Sequence, residues 1–244
     1  MEQILEKKEA ISDSFSKDYF FGQKDRYAKN LELVEEYCSK QGKILEVGSM
    51  PFHFTLLLKE SGYDIIGIDK NPSRESKFIK ANNLEIKRCN IETDKLPLND
   101  KSFGRVLFME TFEHLYQNPI FALREINRVM KKGGLLILTT PNAYSLKRIV
   151  HFLLGKGLGE NPYDEFNKLN WVGHLGHIRE YSKIELKFFL KKIGFRIEKV
   201  IFEYYGHKRF EKNRIISLCL SIFYFLSPPF RSHIIIIAKK EEEK

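Results

Sequence analysis

An acid stands at or beside the end of each of two short apolar runs. Lys43-Ile44-Leu45-Glu46-Val47 stops at Gly48, and Ile65-Ile66-Gly67-Ile68 stops at Asp69, 21 positions after that glycine. A carboxylate in the second position can accept both hydroxyls of a ribose while the turn after the first run approaches the rest of a nucleoside cofactor. The turn narrows the choice. It reads Ser49-Met50-Pro51-Phe52-His53, which puts Met50 and His53 where the later glycines of a G-x-G-x-x-G turn would stand. A pyrophosphate against a helix N-terminus needs those glycines for close backbone approach, so NAD and FAD are disfavoured. A second chemical set follows the run from Arg105 to Met109: Glu110, Glu113 and His114, with Gly173-His174-Leu175-Gly176-His177 and Tyr181 downstream. His114, His174 and His177 are candidates for taking a proton from a nucleophile, with Tyr181 positioning it. A histidine at a helix start serves equally well as a hydrogen-bonded cap, and His177 and Tyr181 could equally be structural.

Strands and helices must hold these groups. Apolar spacing predicts a helix over 25–40, a first buried strand over 43–47, a helix over 54–60 closed by Gly62, and a second strand over 65–69. Pro72 starts another helix, 84–89 and 105–109 read as the third and fourth strands, and Asn118-Pro119 opens a helix that Gly133-Gly134 ends. A fifth strand covers 135–140. Ser182-Lys183-Ile184-Glu185 is a capping box for a helix that closes at Gly194, and 195–202 and 234–238 complete seven strands. Such alternation predicts an α/β fold: a doubly wound, mostly parallel seven-stranded sheet with helices on both faces and ligands at the carboxyl ends of the strands.

The composition, 43% hydrophobic and 30% charged over 244 residues, supports a sizeable core and excludes disorder and fibrous repeats. Cys38, Cys89 and Cys219 are far apart with no C-x-x-C pair, so neither a disulfide framework nor a structural zinc site is expected. Met1 to Ala10 is too charged for the apolar part of a signal peptide, and a reducing, cytoplasmic setting follows. The net charge of +9 is uneven: residues 1–143 carry +1, residues 144–214 carry +7 and residues 215–244 carry +1. The excess suggests a surface that faces something anionic, or a solvated helix face bearing Lys183, Lys187, Lys191 and Lys192. Ile215 to Leu226 is too short to span a bilayer but suits a buried or an interfacial helix, which leaves room for peripheral membrane contact.

Taken in order, the motifs resemble those of the class I S-adenosylmethionine-dependent methyltransferases, in particular the broad group that includes the ubiquinone-pathway O-methyltransferases. The resemblance rests on Ile44 to Gly48, Ile66 to Asp69, Cys89 to Glu92 leading to Leu96 to Phe103, and Glu110 to Leu115. It continues through Leu123 to Ile126 with Lys132 to Gly134, Thr140 to Asn142, His177 to Ser182, and Gly194-Phe195. It implies S-adenosyl-L-methionine as cofactor. Gly48, with Glu46 and Ser49 beside it, would border the methionine part, Asp69 with Lys70 would bind the ribose, and Asn90 with Ile91 would flank the adenine. Met109 and Glu110 would line the methionine side, and no metal is implied. A sulfonium cofactor has no phosphates, so the missing glycines matter less than in a dinucleotide site.

The resemblance also implies a layout: an N-terminal helical cap over 1–42, a cofactor-binding core over 43–143, an acceptor-binding lid over 144–181, and the rest of the core with an apolar helix over 182–244. Methyl transfer is an in-line displacement that needs a base only for a hydroxyl acceptor, and His114 and His177 are the expected catalytic residues. Phe152, Leu153, Leu154, Phe166 and Trp171 in the lid suit a small-molecule, glycan or lipid-linked acceptor, although the core of a helical lid explains them as well. Two other readings compete: an RNA methyltransferase whose basic segment holds phosphates, and an inactive binding subunit. No RNA-binding appendage and no N-P-P-Y motif accompany the basic segment, which argues against nucleic acid.

Overall fold

Residue-by-residue alternation sets the architecture. Along the central strands every second side chain points to one face, so Leu45, Val47, Ile66, Ile68, Val106 and Phe108 enter one apolar layer while Ile44, Ile65, Leu107 and Met109 enter the other. Strands buried on both faces need helices on both sides, and the chain supplies them. The computed structural model describes residues 14–157, 160–172, 176–177, 179–205 and 214–241.

In order, the elements are α1 (Ser14–Tyr37), β1 (Ile44–Val47), α2 (His53–Glu60), β2 (Ile65–Asp69), α3 (Ser76–Ala81), β3 (Ile86–Arg88), β4 (Phe103–Met109) and α4 (Pro119–Val129). They continue with β5 (Met130–Pro141), α5 (Leu146–Leu153), α6 (Pro162–Val172), α7 (Lys183–Lys192), β6 (Phe195–Glu203), α8 (Arg214–Leu226) and β7 (His233–Lys240). The seven strands form one sheet in the order β3-β2-β1-β4-β5-β7-β6. The pairings of β1 with β2 and β4, of β2 with β3 and of β4 with β5 are parallel, whereas β7 runs antiparallel between β5 and β6. The expected doubly wound, mostly parallel seven-stranded sheet is therefore present.

Boundaries differ where side chains override local propensity. Helix α1 already covers Ser14, well before Asp25, because Phe20, Tyr27 and Val34 lie seven residues apart and are buried on one stripe. Helix α4 stops at Val129, and Gly133-Gly134, expected to end it, lies inside β5. Gly134 sits there because a Cβ would meet the Lys131 carbonyl oxygen at 2.7 Å. The segment after Pro72 begins as a 3-10 turn, Pro72–Glu75, before α3. The capping box holds as read: Ser182 accepts from Glu185 N, and the Glu185 carboxylate accepts from Ser182 N at 2.9 Å.

Phe112 is the keystone of the layer beneath α7. It is fully buried and lies 4.6 Å from the ring of Tyr181 and 6.0 Å from those of Phe108 and Phe189. Phe112→Ala is expected to cost about 3–5 kcal/mol, because the void is walled by rings held on β4, on α7 and on the connection before α7, and cannot collapse. Urea unfolding monitored by circular dichroism gives the number; a loss below about 1 kcal/mol would mean that the layer repacks.

Candidate active site

The carboxyl ends of β1, β2, β4 and β5 meet along one edge of the sheet, and their exit loops carry the acids and histidines singled out above. Gly48 leaves β1 at φ +74°, and a Cβ there would fall 2.2 Å from the Thr111 hydroxyl in the loop after β4. Only glycine lets the two loops lie so close. Thr111 donates to the Met109 carbonyl at 2.9 Å, which holds the β4 exit in place. The turn that follows Gly48 lacks further glycines and takes its second left-handed residue at Phe52, φ 68°. That conformation costs about 1–2 kcal/mol for a side chain with a Cβ; complete burial of the Phe52 ring offsets it.

Asp69 is half-buried, and its two oxygens are aimed by backbone donors, Asn71 N at 2.9 Å and Met50 N at 3.2 Å. Each oxygen keeps a lone pair directed outward. Glu46, one strand over, is buried; its carboxylate accepts from the Thr55 hydroxyl. Burial pushes its pKa up to about 8, outweighing Thr55, and the negative charge of Asp69 adds to the rise. Asn90 is half-buried after β3, its side-chain oxygen accepting from Glu92 N at 3.3 Å, and Ile91 is buried beside it. Lys70 is exposed. Ser49 turns inward instead, its hydroxyl donating to the Ile68 carbonyl at 3.3 Å, so only its backbone borders the edge.

Met109 is buried at the end of β4. Glu110, next to it, is committed to the protein: Thr139 donates to it at 2.8 Å, Arg26 of α1 at 3.1 Å, and His233 Nε2 lies 3.3 Å away. Burial alone would raise its pKa; His233 and Arg26 outweigh it and hold the carboxyl well below the usual range. The pairing clamps the N-terminal helix to the strand edge. Neither Arg26 nor His233 is legible as a partner of Glu110 in the sequence, where 84 positions separate the first pair.

Glu113, His114 and His177 converge. Phe112–His114 forms a short 3-10 turn, so His114 closes a turn where a helix start was expected. Glu113 is fully buried and accepts from the Thr140 hydroxyl of β5 at 2.9 Å. Burial drives its pKa up to about 8, and the charge of Glu110 adds to it. The rings of His114 and His177 stand 5.0 Å apart at 69°. His177 follows α6, and its backbone N donates to Glu165 of that helix at 2.6 Å. Burial opposes charge on His177, but the carboxylates of Glu180 and Glu113 outweigh it and raise its pKa. Glu180 is itself bridged by Arg148 of α5, Nε to Oε2 at 2.8 Å, which ties both helices of the segment after β5 to the histidine pair. Tyr181 is buried against Phe112 and serves packing. His174 and the side chain of Trp171 lie outside the described residues.

Outside this edge, Lys183, Lys191 and Lys192 are exposed and Lys187 is half-buried, with Lys192 over the Phe188 ring and Lys183 over Phe202. The apolar residues expected in the lid do not form its core: Phe152, Leu153, Leu154 and Phe166 are each 59–74% exposed. On α8, Ile222, Phe225 and Leu226 are exposed too, and no described helix is long and apolar enough to cross a membrane.

Comparison with known proteins bears on this arrangement. A family model described as a methyltransferase domain matches residues 20–200. An uncharacterized protein of Methanocaldococcus jannaschii is 26% identical over 198 residues, covering 76% of this chain and 74% of that one. Among solved structures, an S-adenosylmethionine-dependent methyltransferase of Thermotoga maritima, described as a possible histamine N-methyltransferase, superposes with a TM-score of 0.65 at 20% identity, covering 96% of this chain and 98% of the other. One from Archaeoglobus fulgidus gives 0.61 at 21% identity, covering 93% and 100%. These two likenesses concern the fold.

Proposed function

We propose an acceptor and a set of site roles on this premise: the chain belongs to the S-adenosylmethionine-dependent methyltransferase family, is a methyltransferase, and uses S-adenosylmethionine. The acceptor is an apolar hydroxyl compound, small or lipid-linked, methylated on oxygen. The observation that carries this reading is the convergence of Glu113, His114 and His177 at the carboxyl ends of β4 and β5, where a hydroxyl must lose its proton as it attacks.

The groups on the edge fit the cofactor. Asp69 is the ribose ligand, its outward lone pairs taking the two hydroxyls, with exposed Lys70 beside it. Asn90 and Ile91 flank the adenine. Gly48, the backbone of Ser49, Glu46 and Met109 border the methionine part, and Glu110 supports that wall through Arg26, His233 and Thr139. When bound, the cofactor supplies an electrophilic methyl group on a sulfonium. The protein's part is to align and to handle a proton: His114 and His177 address the acceptor hydroxyl, and Glu180 with Arg148 fixes the ring of His177. The exposed apolar side chains of α5, α6 and α8, all on connections that leave the carboxyl edge, suit an apolar acceptor or the surface of a membrane that carries it.

Purified protein with methyl-labelled S-adenosylmethionine and panels of phenolic, lipid-linked and amine acceptors tests the reading. Label in a methyl ether is expected; label on amines alone would overturn it. Glu46 gives a second prediction. Its pKa near 8 means that at neutral pH the buried carboxyl holds a proton, and a cation docking beside it favours releasing that proton. Affinity for S-adenosylmethionine should therefore rise with pH between about 6 and 8, by at most tenfold per unit, and Glu46→Gln should flatten the profile. Calorimetry in two buffers of different ionisation enthalpy would also register the released proton, and a flat wild-type profile would move Glu46 out of the site.

A further inference from the structure

We propose that a cavity at the exits of β5 and β6 binds one hydrocarbon chain, and that this chain is the tail of the methyl acceptor. The cavity measures about 300 Å³. Its apolar wall includes Ile149 of α5, Ile184 of α7, Phe202 of β6 and Phe230 from the turn between α8 and β7. Asn142, Ser182 and Lys183 are its polar members.

Those polar groups are engaged within the protein. Asn142 is buried, and its amide nitrogen donates to the carbonyls of Pro229 and Arg231 at 2.8 Å each while its oxygen accepts from Tyr144 N at 3.0 Å. Ser182 serves the cap of α7, accepting from Glu185 N at 3.3 Å. The Lys183 ammonium stands 5.8 Å from the centre of the Phe202 ring. A polar ligand would give up its water for a wall with little to offer in exchange, whereas a hydrocarbon gains by leaving water.

Two helices carry apolar rows away from this cavity. On α7, Leu186 and Leu190 are buried in the core, yet Ile184 and Phe188, also four residues apart, are exposed. On α5, Ile149 lines the cavity, and Phe152 and Leu153, three and four residues on, are exposed. Apolar rows that leave a cavity mouth uncovered mark a ligand groove. The cavity also adjoins the candidate active site along the chain. Asn142 lies two residues after Thr140, whose hydroxyl holds Glu113, and it pairs with Tyr181, which packs on Phe112. A molecule with a hydroxyl head for the histidine pair and a hydrocarbon tail for the cavity therefore uses both. Assigning the tail to the methyl acceptor rests on the function proposed above; binding of the chain rests on the wall alone.

The full chain is titrated by calorimetry with the straight-chain alcohols 1-butanol, 1-hexanol, 1-octanol and 1-decanol, and S-adenosylmethionine binding is measured on the same preparations. One alcohol should bind per chain, with affinity rising about fourfold per methylene until the cavity is full and then levelling. Ile149→Trp, which fills the space, and Ile184→Asp, which puts a charge at its exposed mouth and suits the first turn of α7, should each weaken 1-octanol at least fivefold. S-adenosylmethionine affinity should stay within about twofold of wild type in both. No saturable alcohol binding by wild type that binds S-adenosylmethionine, or 1-octanol binding unchanged in Ile184→Asp, would overturn the site. Saturable chain binding with methyl label on amines alone would support the cavity and count against methylation on oxygen; a labelled methyl ether without saturable chain binding would do the reverse.

Discussion

Asp69→Ala is expected to weaken S-adenosylmethionine binding by roughly thirtyfold to several hundredfold. The argument starts from the lone pairs. With Asn71 N and Met50 N each occupying one side of a carboxylate oxygen, the remaining acceptor positions point away from the backbone, where a diol can bridge them. Two hydrogen bonds to a charged acceptor contribute about 1.5 kcal/mol or more each, and 1.4 kcal/mol is a factor of ten in affinity. Asp69→Asn keeps one acceptor oxygen and should fall between wild type and Asp69→Ala. Calorimetric titration of the three proteins, with thermal melts to confirm folding, gives the order. Wild-type affinity in Asp69→Ala would place the ribose elsewhere on the edge.

Glu110→Ala should destabilise the protein by about 3–5 kcal/mol, because it strands the mostly buried guanidinium of Arg26 and removes the acceptor of Thr139 at the same time. Glu110→Gln, which retains an oxygen for both donors, should cost less. The pH dependence follows from the direction of the shift. The folded-state pKa of Glu110 lies below its unfolded value of about 4.3. Its contribution is therefore full above that value and is lost as pH falls through and below it. The stability gap between wild type and Glu110→Gln should close on acidification from about pH 5 toward pH 2. Urea unfolding at several pH values measures it; a gap that is constant with pH would show that the carboxylate charge does not stabilise the fold.

Much of this was legible in the sequence, for a physical reason. The carboxyl edge of the sheet is built from residues at the ends of apolar runs, and a run with an acid or glycine at its end is a local pattern: Glu46, Gly48 and Asp69 lie at the ends of β1 and β2, as the spacing put them. The capping box at Ser182 and Glu185 is local too. Contacts between distant segments leave no such trace. Nothing in the surroundings of Arg26 announces a carboxylate at the end of β4, and Glu180 reads as an ordinary surface acid until Arg148 and His177 close on it. The inward turn of the Ser49 hydroxyl was hidden likewise, since it follows from Gly67 across the sheet, where a Cβ would meet that hydroxyl at 2.7 Å. Gly133-Gly134 misled because a glycine pair after a helical run ends helices in general, while here it serves the entry to β5.

The position of β7 has a consequence for how the molecule is made. It lies between β5 and β6, both of which the ribosome delivers first, and it pairs with them over nearly its whole length. Until it emerges, two long strands present unmatched backbone, and β6 has no neighbour through which to join the rest of the sheet. The nascent domain thus waits, unable to close its sheet, for one isoleucine-rich segment. Chaperone capture and aggregation during synthesis should be greatest in that interval, and a stop codon just before His233 should yield insoluble protein although it spares the carboxyl ends of β1, β2, β4 and β5.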